Sequence, residues 1–265
     1  MQISIVKTFP VLLTAAALTA GLGLDGIDGA QAAAEASASP APELRIEGAY
    51  FGTLGASDGG RSAFQLLVLP EGDFFAIYGD TSATGLAVRG YIHGNQQATG
   101  PGAWAGSGQE FGIESPSDVE LKTTYAPDAG VAGTMVGADG YVARFNGTAI
   151  PVSTFDYNRP AQLSSIVGTW SMATPYDQRA TLAIGKDAAL TGTVDGCAFS
   201  GKATPLPSRN VFNIAMTFGG EPCALVGQTA RGIALAHQLP DGRQQLMVMV
   251  QDDSRREGGF LVGSR

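Results

Sequence analysis

The chain has 265 residues, 44% of them apolar and 15% charged, with a net charge of −8, 37 Gly and 14 Pro. The apolar share excludes a disordered chain and the lack of a Gly-X-Y period excludes collagen. The Gly and Pro abundance disfavours long helices, and an isoelectric point near 4.7 argues against nucleic acid or an anionic membrane surface as partner.

In chain order the first element is an export signal over residues 1–32. Lys7 supplies the positive start, Phe9 to Leu24 the apolar stretch, and Ala30-Gln31-Ala32 an A-x-A cleavage site. Pro10, Thr14, Thr19 and several glycines interrupt that stretch, making it a poor spanning helix, so no stable membrane insertion is expected. No Cys precedes Cys197, so the lipid-attachment cysteine of a bacterial lipoprotein is missing. The expected location is periplasmic or secreted. Residues 33–45 follow as a disordered Ala/Ser/Pro tether.

From residue 46 onward, short alternating or apolar runs are separated by turn residues. In a first unit, 46–153, strands are predicted over Gly48–Leu54, Ala63–Leu69, Phe74–Tyr78, Leu86–His93, Val119–Tyr125, Gly133–Val136 and Val142–Phe145. Asn95–Gly112 is polar and Gly-rich, and is either a mobile loop or an irregular strand pair. A linker over 154–165, broken by Pro160, leads to a second unit, 166–265. There the predicted strands are Ile166–Ser171, Ala180–Ile184, Ala189–Val194, Ala198–Thr204, Val211–Phe218, Ala224–His237, Gln244–Val250 and Gly259–Gly263. Strand starts fall about ten residues apart, which suits a meander. The predicted fold is all-β: two tandem antiparallel meander units, each a small barrel or barrel-like sandwich, following a signal peptide. Gly48-Ala49-Tyr50 and Gly168-Thr169-Trp170 open the two units, and Asp73 and Asp187 recur at a similar offset, as duplication of one unit would give.

Cys197 and Cys223 are the only cysteines, and in an oxidising compartment they are expected to form a disulfide. It would tie the fourth strand of the second meander to the sixth across its mouth. A redox or metal role would want C-x-x-C or a nearby His, and neither is present.

The Gly168-Thr169-Trp170 opening, followed by an up-and-down strand pattern, resembles the lipocalin and calycin barrels. The resemblance implies that Trp170 plugs the closed end of a barrel beneath a basic residue near the chain end, for which Arg255, Arg256 and Arg265 are available. Tyr50 would play the same part in the first unit. The Thr-Asp-Tyr motif and C-terminal helix of that family are missing. The tandem Gly-rich β units behind an export signal are also similar to uncharacterised secreted proteobacterial proteins and to the barrels of transferrin-binding surface lipoproteins.

Catalytic motifs turn out to be coincidences. Gly55-Ala56-Ser57-Asp58-Gly59 has nucleophile-elbow spacing but lies between two strands, and Gly21-Leu22-Gly23-Leu24-Asp25-Gly26 lies inside the signal. His93 and His237 have no carboxylate spacing around them, and Asp252-Asp253 reads as an exposed turn, so no metal or cofactor is expected. Aromatic residues remain as contact candidates: Tyr78 and Tyr91, and above all Trp104, flanked by Gly102 and Gly106 on the long segment. Phe74 and Phe75 fit the core better. The expected function is that of an exported, non-catalytic binding protein holding a small apolar molecule or another envelope or secreted protein. The alternatives are an acidic periplasmic immunity or inhibitor protein against a toxin or cell-wall enzyme, and a secreted hydrolase with a motif-free carboxylate pair.

Overall fold

The computed structural model describes residues 47–265 except 57–58, 83–84, 113–115, 127–128, 175–177 and 240. The signal at 1–32, the tether at 33–45 and Ser57 therefore lie outside the described residues. The described residues belong to one compact unit.

Two closed eight-stranded antiparallel barrels follow one another along the chain, each joined strand to strand in sequence order. The first contains β1 (Gly48–Ala56), β2 (Arg61–Val68), β3 (Asp73–Ser82), β4 (Gly85–Gly100), β5 (Ala103–Phe111), β6 (Ser117–Ala126), β7 (Gly130–Gly137) and β8 (Val142–Ala149). Its closing seam runs from Tyr50↔Ala149 to Ala56↔Ala143. The second contains β9 (Gly168–Ala173), β10 (Arg179–Ile184), β11 (Ala189–Val194), β12 (Cys197–Pro205), β13 (Phe212–Phe218), β14 (Thr229–Gln238), β15 (Gln244–Asp252) and β16 (Gly258–Ser264). Its seam, among the described residues, pairs Val262↔Ala173 and Gly263↔Met172. Tyr50 and Trp170 sit on the first strand of each barrel. Asp73 opens the third strand of the first barrel, and Asp187 lies in the turn just before the third strand of the second.

Period-two alternation sets the inside and outside of each barrel. On β6, Val119, Leu121, Thr123 and Tyr125 are buried while Asp118, Glu120, Lys122 and Thr124 are exposed. That is the inverse of a membrane barrel, whose apolar band faces outward. No helix among the described residues is long and apolar enough to cross a membrane.

Strand β15 breaks the alternation and is buried on both faces. Leu246, Val248 and Val250 point into the second barrel, while Met247 and Met249 join Ile233, Leu235 and Phe260 in a separate cluster between the barrels. The first barrel contributes Leu67, Phe75, Ile77, Tyr91 and Phe111 to that cluster. The connection from residue 150 to 167, which includes a short 3-10 turn at Leu163–Ser165, adds Phe155 and Tyr157. Tyr157 donates a hydrogen bond to the Val68 carbonyl at 2.7 Å and carries the Arg209 guanidinium over its ring. Arg209 in turn pairs with Glu47.

Of the two readings of residues 95–112, the irregular strand pair is the one found: β4 runs on to Gly100, turns at 101–102 and returns as β5, with a register shift between Ala98 and Gly100. One predicted strand needs correction. The strand predicted from Ala224 starts instead at Thr229. Cys223 therefore lies in the β13–β14 loop and not at a strand start.

Candidate functional site

The two barrels fill their interiors differently. In the first, rings occupy the lumen: Phe64 meets Phe145 edge-on at 5.8 Å, and Phe74 tilts against Trp104 at 5.7 Å. Neighbouring glycines make room for them. A Cβ at Gly106 would lie 2.8 Å from the Trp104 ring, and one at Gly133 2.7 Å from Phe145. Tyr78 projects into the same lumen, and its hydroxyl hydrogen-bonds Glu110.

In the second barrel one end is plugged by a single large ring. Trp170 is fully buried and donates from Nε1 to the Ile166 carbonyl at 2.8 Å. The Arg265 guanidinium lies 4.0 Å over its ring and donates to the Val167 carbonyl. Of the three arginines named from sequence, Arg265 is thus the one over Trp170. Arg255 and Arg256 lie in the β15–β16 turn, and Arg256 gives its backbone N–H to the Asp252 carboxylate.

The opposite end of this barrel holds a cavity of about 370 Å³. Its walls are apolar: Phe199 and Met216 inside the barrel, Leu261 from β16, and Phe111 contributed by the first barrel. Small residues leave the space open. Ala230 lines it, and a Cβ built on Gly259 would meet nothing within 4 Å.

Loop 219–228 borders the opening through Pro222, Ala224 and Leu225. The Cys197–Cys223 disulfide, with its Cα atoms 4.6 Å apart, holds this loop against the start of β12. Main-chain bonds from Gly219 to the Ala198 carbonyl and from Gly227 to the Phe218 carbonyl close it further. The expected disulfide is present, but it ties a strand to a loop instead of the fourth strand to the sixth.

The aromatic candidates from sequence do not come together. Trp104 is 1% exposed inside the first barrel, because the segment carrying it is a strand, and so it is not a loop contact. Tyr78 packs against the core of the same barrel. Tyr91 is also buried, but points outward from the first barrel into the second. Its ring stacks on Phe111 at 4.9 Å and meets Phe260 edge-on at 6.1 Å, and its hydroxyl donates to the Val250 carbonyl at 2.7 Å. Burial pushes the Tyr91 hydroxyl far up from its ordinary range. Phe111, Phe260 and Val250 all line the cavity, so Tyr91 braces its wall from behind.

Sequence reasoning did not find Phe111, Gly259 or Leu225. Ala230 lines the cavity and Ala234 is buried in the barrel core, whereas Ala189 is exposed.

A second, polar hollow between the barrels contains His93, stacked on Phe75 at 4.1 Å with its Nε2 3.8 Å from Asp73. The His93 interaction holds the Asp73 carboxyl below its ordinary range, partly opposed by burial. Among the described residues no group of three or more His, Cys, Asp or Glu could hold a metal ion.

These features define a class: tandem, water-facing eight-stranded β-barrels with an apolar cavity at the mouth of the second. No protein family and no curated protein matches the chain. Among solved structures it is similar to an immune modulator of Aeromonas veronii, with 11% identity over 84% of this chain and 95% of that one and a TM-score of 0.40. A mutant of transferrin-binding protein B from Haemophilus parasuis is similar at 8% identity, covering 82% of this chain and 75% of that one, with a TM-score of 0.29. A Nostoc punctiforme protein of unknown function is similar at 13% identity, covering 83% and 95%, with a TM-score of 0.24. No residue role passes from these proteins to this chain.

Proposed function

We propose that the chain is an exported, non-catalytic binding protein that holds one small apolar ligand in the mouth of its second barrel. One observation carries this reading: an apolar cavity that the chain leaves open at Ala230 and Gly259 while a disulfide fixes the loop beside it. Its volume lies at the small end of the roughly 300–1,000 Å³ range of ligand sites. Trp170 beneath Arg265 closes the far end, so a ligand enters and leaves at the mouth. The first barrel acts as a filled scaffold, with Tyr50 near its seam, and supports the cavity wall through Tyr91 and Phe111. The disulfide suits a periplasmic or secreted location.

Titration with N-phenyl-1-naphthylamine, a neutral apolar fluorophore, tests the reading. The wild-type protein is expected to bind one equivalent with enhanced fluorescence. The Gly259→Leu variant, whose side chain enters open space, is expected to keep its melting temperature and bind about tenfold more weakly or worse. Equal binding by Gly259→Leu and wild type would overturn the assignment, and so would no binding by either.

A further inference from the structure

The cavity is short along the barrel. On β13, Phe218 and Met216 line it, and the next inward-facing residue, Ile214, belongs to the packed core beneath. On β15, Val250 and Val248 line it and Leu246 is core; on β14, Ala230 lines it and Ala234 is core. The space thus follows β13 and β15 for one step between inward-facing residues, about 7 Å at the usual rise of roughly 3.4 Å per residue. With a volume of about 370 Å³, a space that short is broad, and an extended alkyl chain would outrun it. Its wall also has a definite shape. The rings of Phe199 and Phe218 form a corner, with centroids 6.5 Å apart and planes at 68°.

Resting on the apolar-ligand reading above, we infer that the cavity takes a planar aromatic molecule of one or two fused rings and disfavours long alkyl chains. A guest ring lying parallel to one phenylalanine is nearly perpendicular to the other, so it stacks on the first and meets the second edge-on. Both arrangements are favoured beyond the area they bury. Met216, two residues from Phe218 on the same strand, adds a thioether to that wall, and sulfur near a ring edge is a further attractive contact. A saturated ring system of the same size buries similar apolar area but makes neither ring contact. A long chain fills the depth of the cavity with its first few methylenes and leaves the rest in water. The naphthyl group of the fluorophore named above belongs to the favoured class.

Isothermal titration of the chain with 2-naphthol, decahydro-2-naphthol and the straight-chain 1-alkanols from hexanol to dodecanol tests the inference. The two bicyclic alcohols share a carbon skeleton and a hydroxyl and differ in whether the rings are planar and aromatic. 2-Naphthol is expected to bind about two- to tenfold more tightly than its saturated counterpart, as one ring contact would give. Phe218→Leu, at a half-buried position, should narrow that ratio and leave decahydro-2-naphthol unchanged. Among the alkanols, affinity should rise with length and level off before dodecanol, since methylenes beyond the cavity gain nothing from burial. Equal binding of the two bicyclic alcohols, an unchanged ratio in Phe218→Leu, or affinity that climbs steadily through dodecanol overturns this inference; while the fluorophore still binds, the apolar site stands. Failure of the fluorophore and of every alcohol to bind overturns both.

Discussion

Two barrels of the same topology sit in one chain, and they spend their interiors on opposite ends. The first closes on edge-on and tilted rings, with glycines beside them leaving the room they fill. The second is plugged at one end by Trp170 under Arg265, and at the other Ala230 and Gly259 leave a space walled by Phe199 and Met216. Closure removes sheet edges in both, so architecture alone does not decide whether a barrel is filled or hollow. That choice lies in the size of a few inward-facing side chains. The two lumens also share a wall, through Tyr91 and the cluster around β15, so filling one barrel rigidifies the cavity of the other.

The largest expected effect comes from emptying the filled barrel. Trp104→Ala removes a side chain that is 1% exposed and packed on Phe74, and should cost about 3–5 kcal/mol in urea unfolding. It should also give the first barrel a hollow able to take the neutral fluorophore, raising the stoichiometry above that of wild type. Loss of stability without new binding would mean that the lumen collapses.

Opening the hollow barrel is the next test. Replacing both Cys197 and Cys223 by Ala frees a loop spanning 26 residues of sequence separation, worth about 3.5 kcal/mol in the chain-entropy account. Denaturation midpoints should fall accordingly, and fluorophore affinity should fall with them because Pro222 and Leu225 border the cavity. Unchanged affinity in the folded variant would show that the loop is not needed for binding.

A pH series separates a half-buried group on β14 from the rest of the molecule. Burial pushes the His237 imidazole down to about 4, below the roughly 6.5 of an unfolded chain. Folded His237 is therefore neutral where the unfolded chain takes up a proton. Its contribution is intact above about pH 6.5, is lost as the pH falls towards about 4, and levels off below that. The full loss is at most about 3 kcal/mol. His237→Leu should flatten the dependence of urea stability on pH across that window. An unaltered slope would place the titration elsewhere.

Most of the fold was legible from alternation and turn chemistry, because both are local. The exception at β5 is instructive: Ala103–Phe111 holds Gly106 and Gly108, which look like loop residues until the rings opposite them are known. Trp104 was misplaced for the same reason, since its burial depends on Phe74, thirty residues earlier in sequence. The Ala224-Leu225-Val226 run has strand composition but forms a loop fixed by Cys223, with Val226 52% exposed. Trp170 and the two cysteines could be singled out because their residue types are rare. The cavity could not, because it is defined by what Ala230 and Gly259 lack and by a Phe111 arriving from the other barrel.

The smallest expected effect compares one substitution in the two lumens. A Cβ at Gly106 would come within 2.8 Å of the Trp104 ring and 3.0 Å of Phe74, both held by their own packing. Gly106→Val should therefore destabilise by about 1–3 kcal/mol, the range for overpacking a filled core. At Gly259 the same Cβ meets nothing within 4 Å. Val there adds apolar contact and reduces the freedom of the unfolded chain, so Gly259→Val should be neutral or stabilising by up to about 1 kcal/mol. Paired urea titrations read the difference directly. If both variants lose the same stability, the second lumen is as tightly filled as the first, and the contrast between the barrels fails along with the cavity built on it.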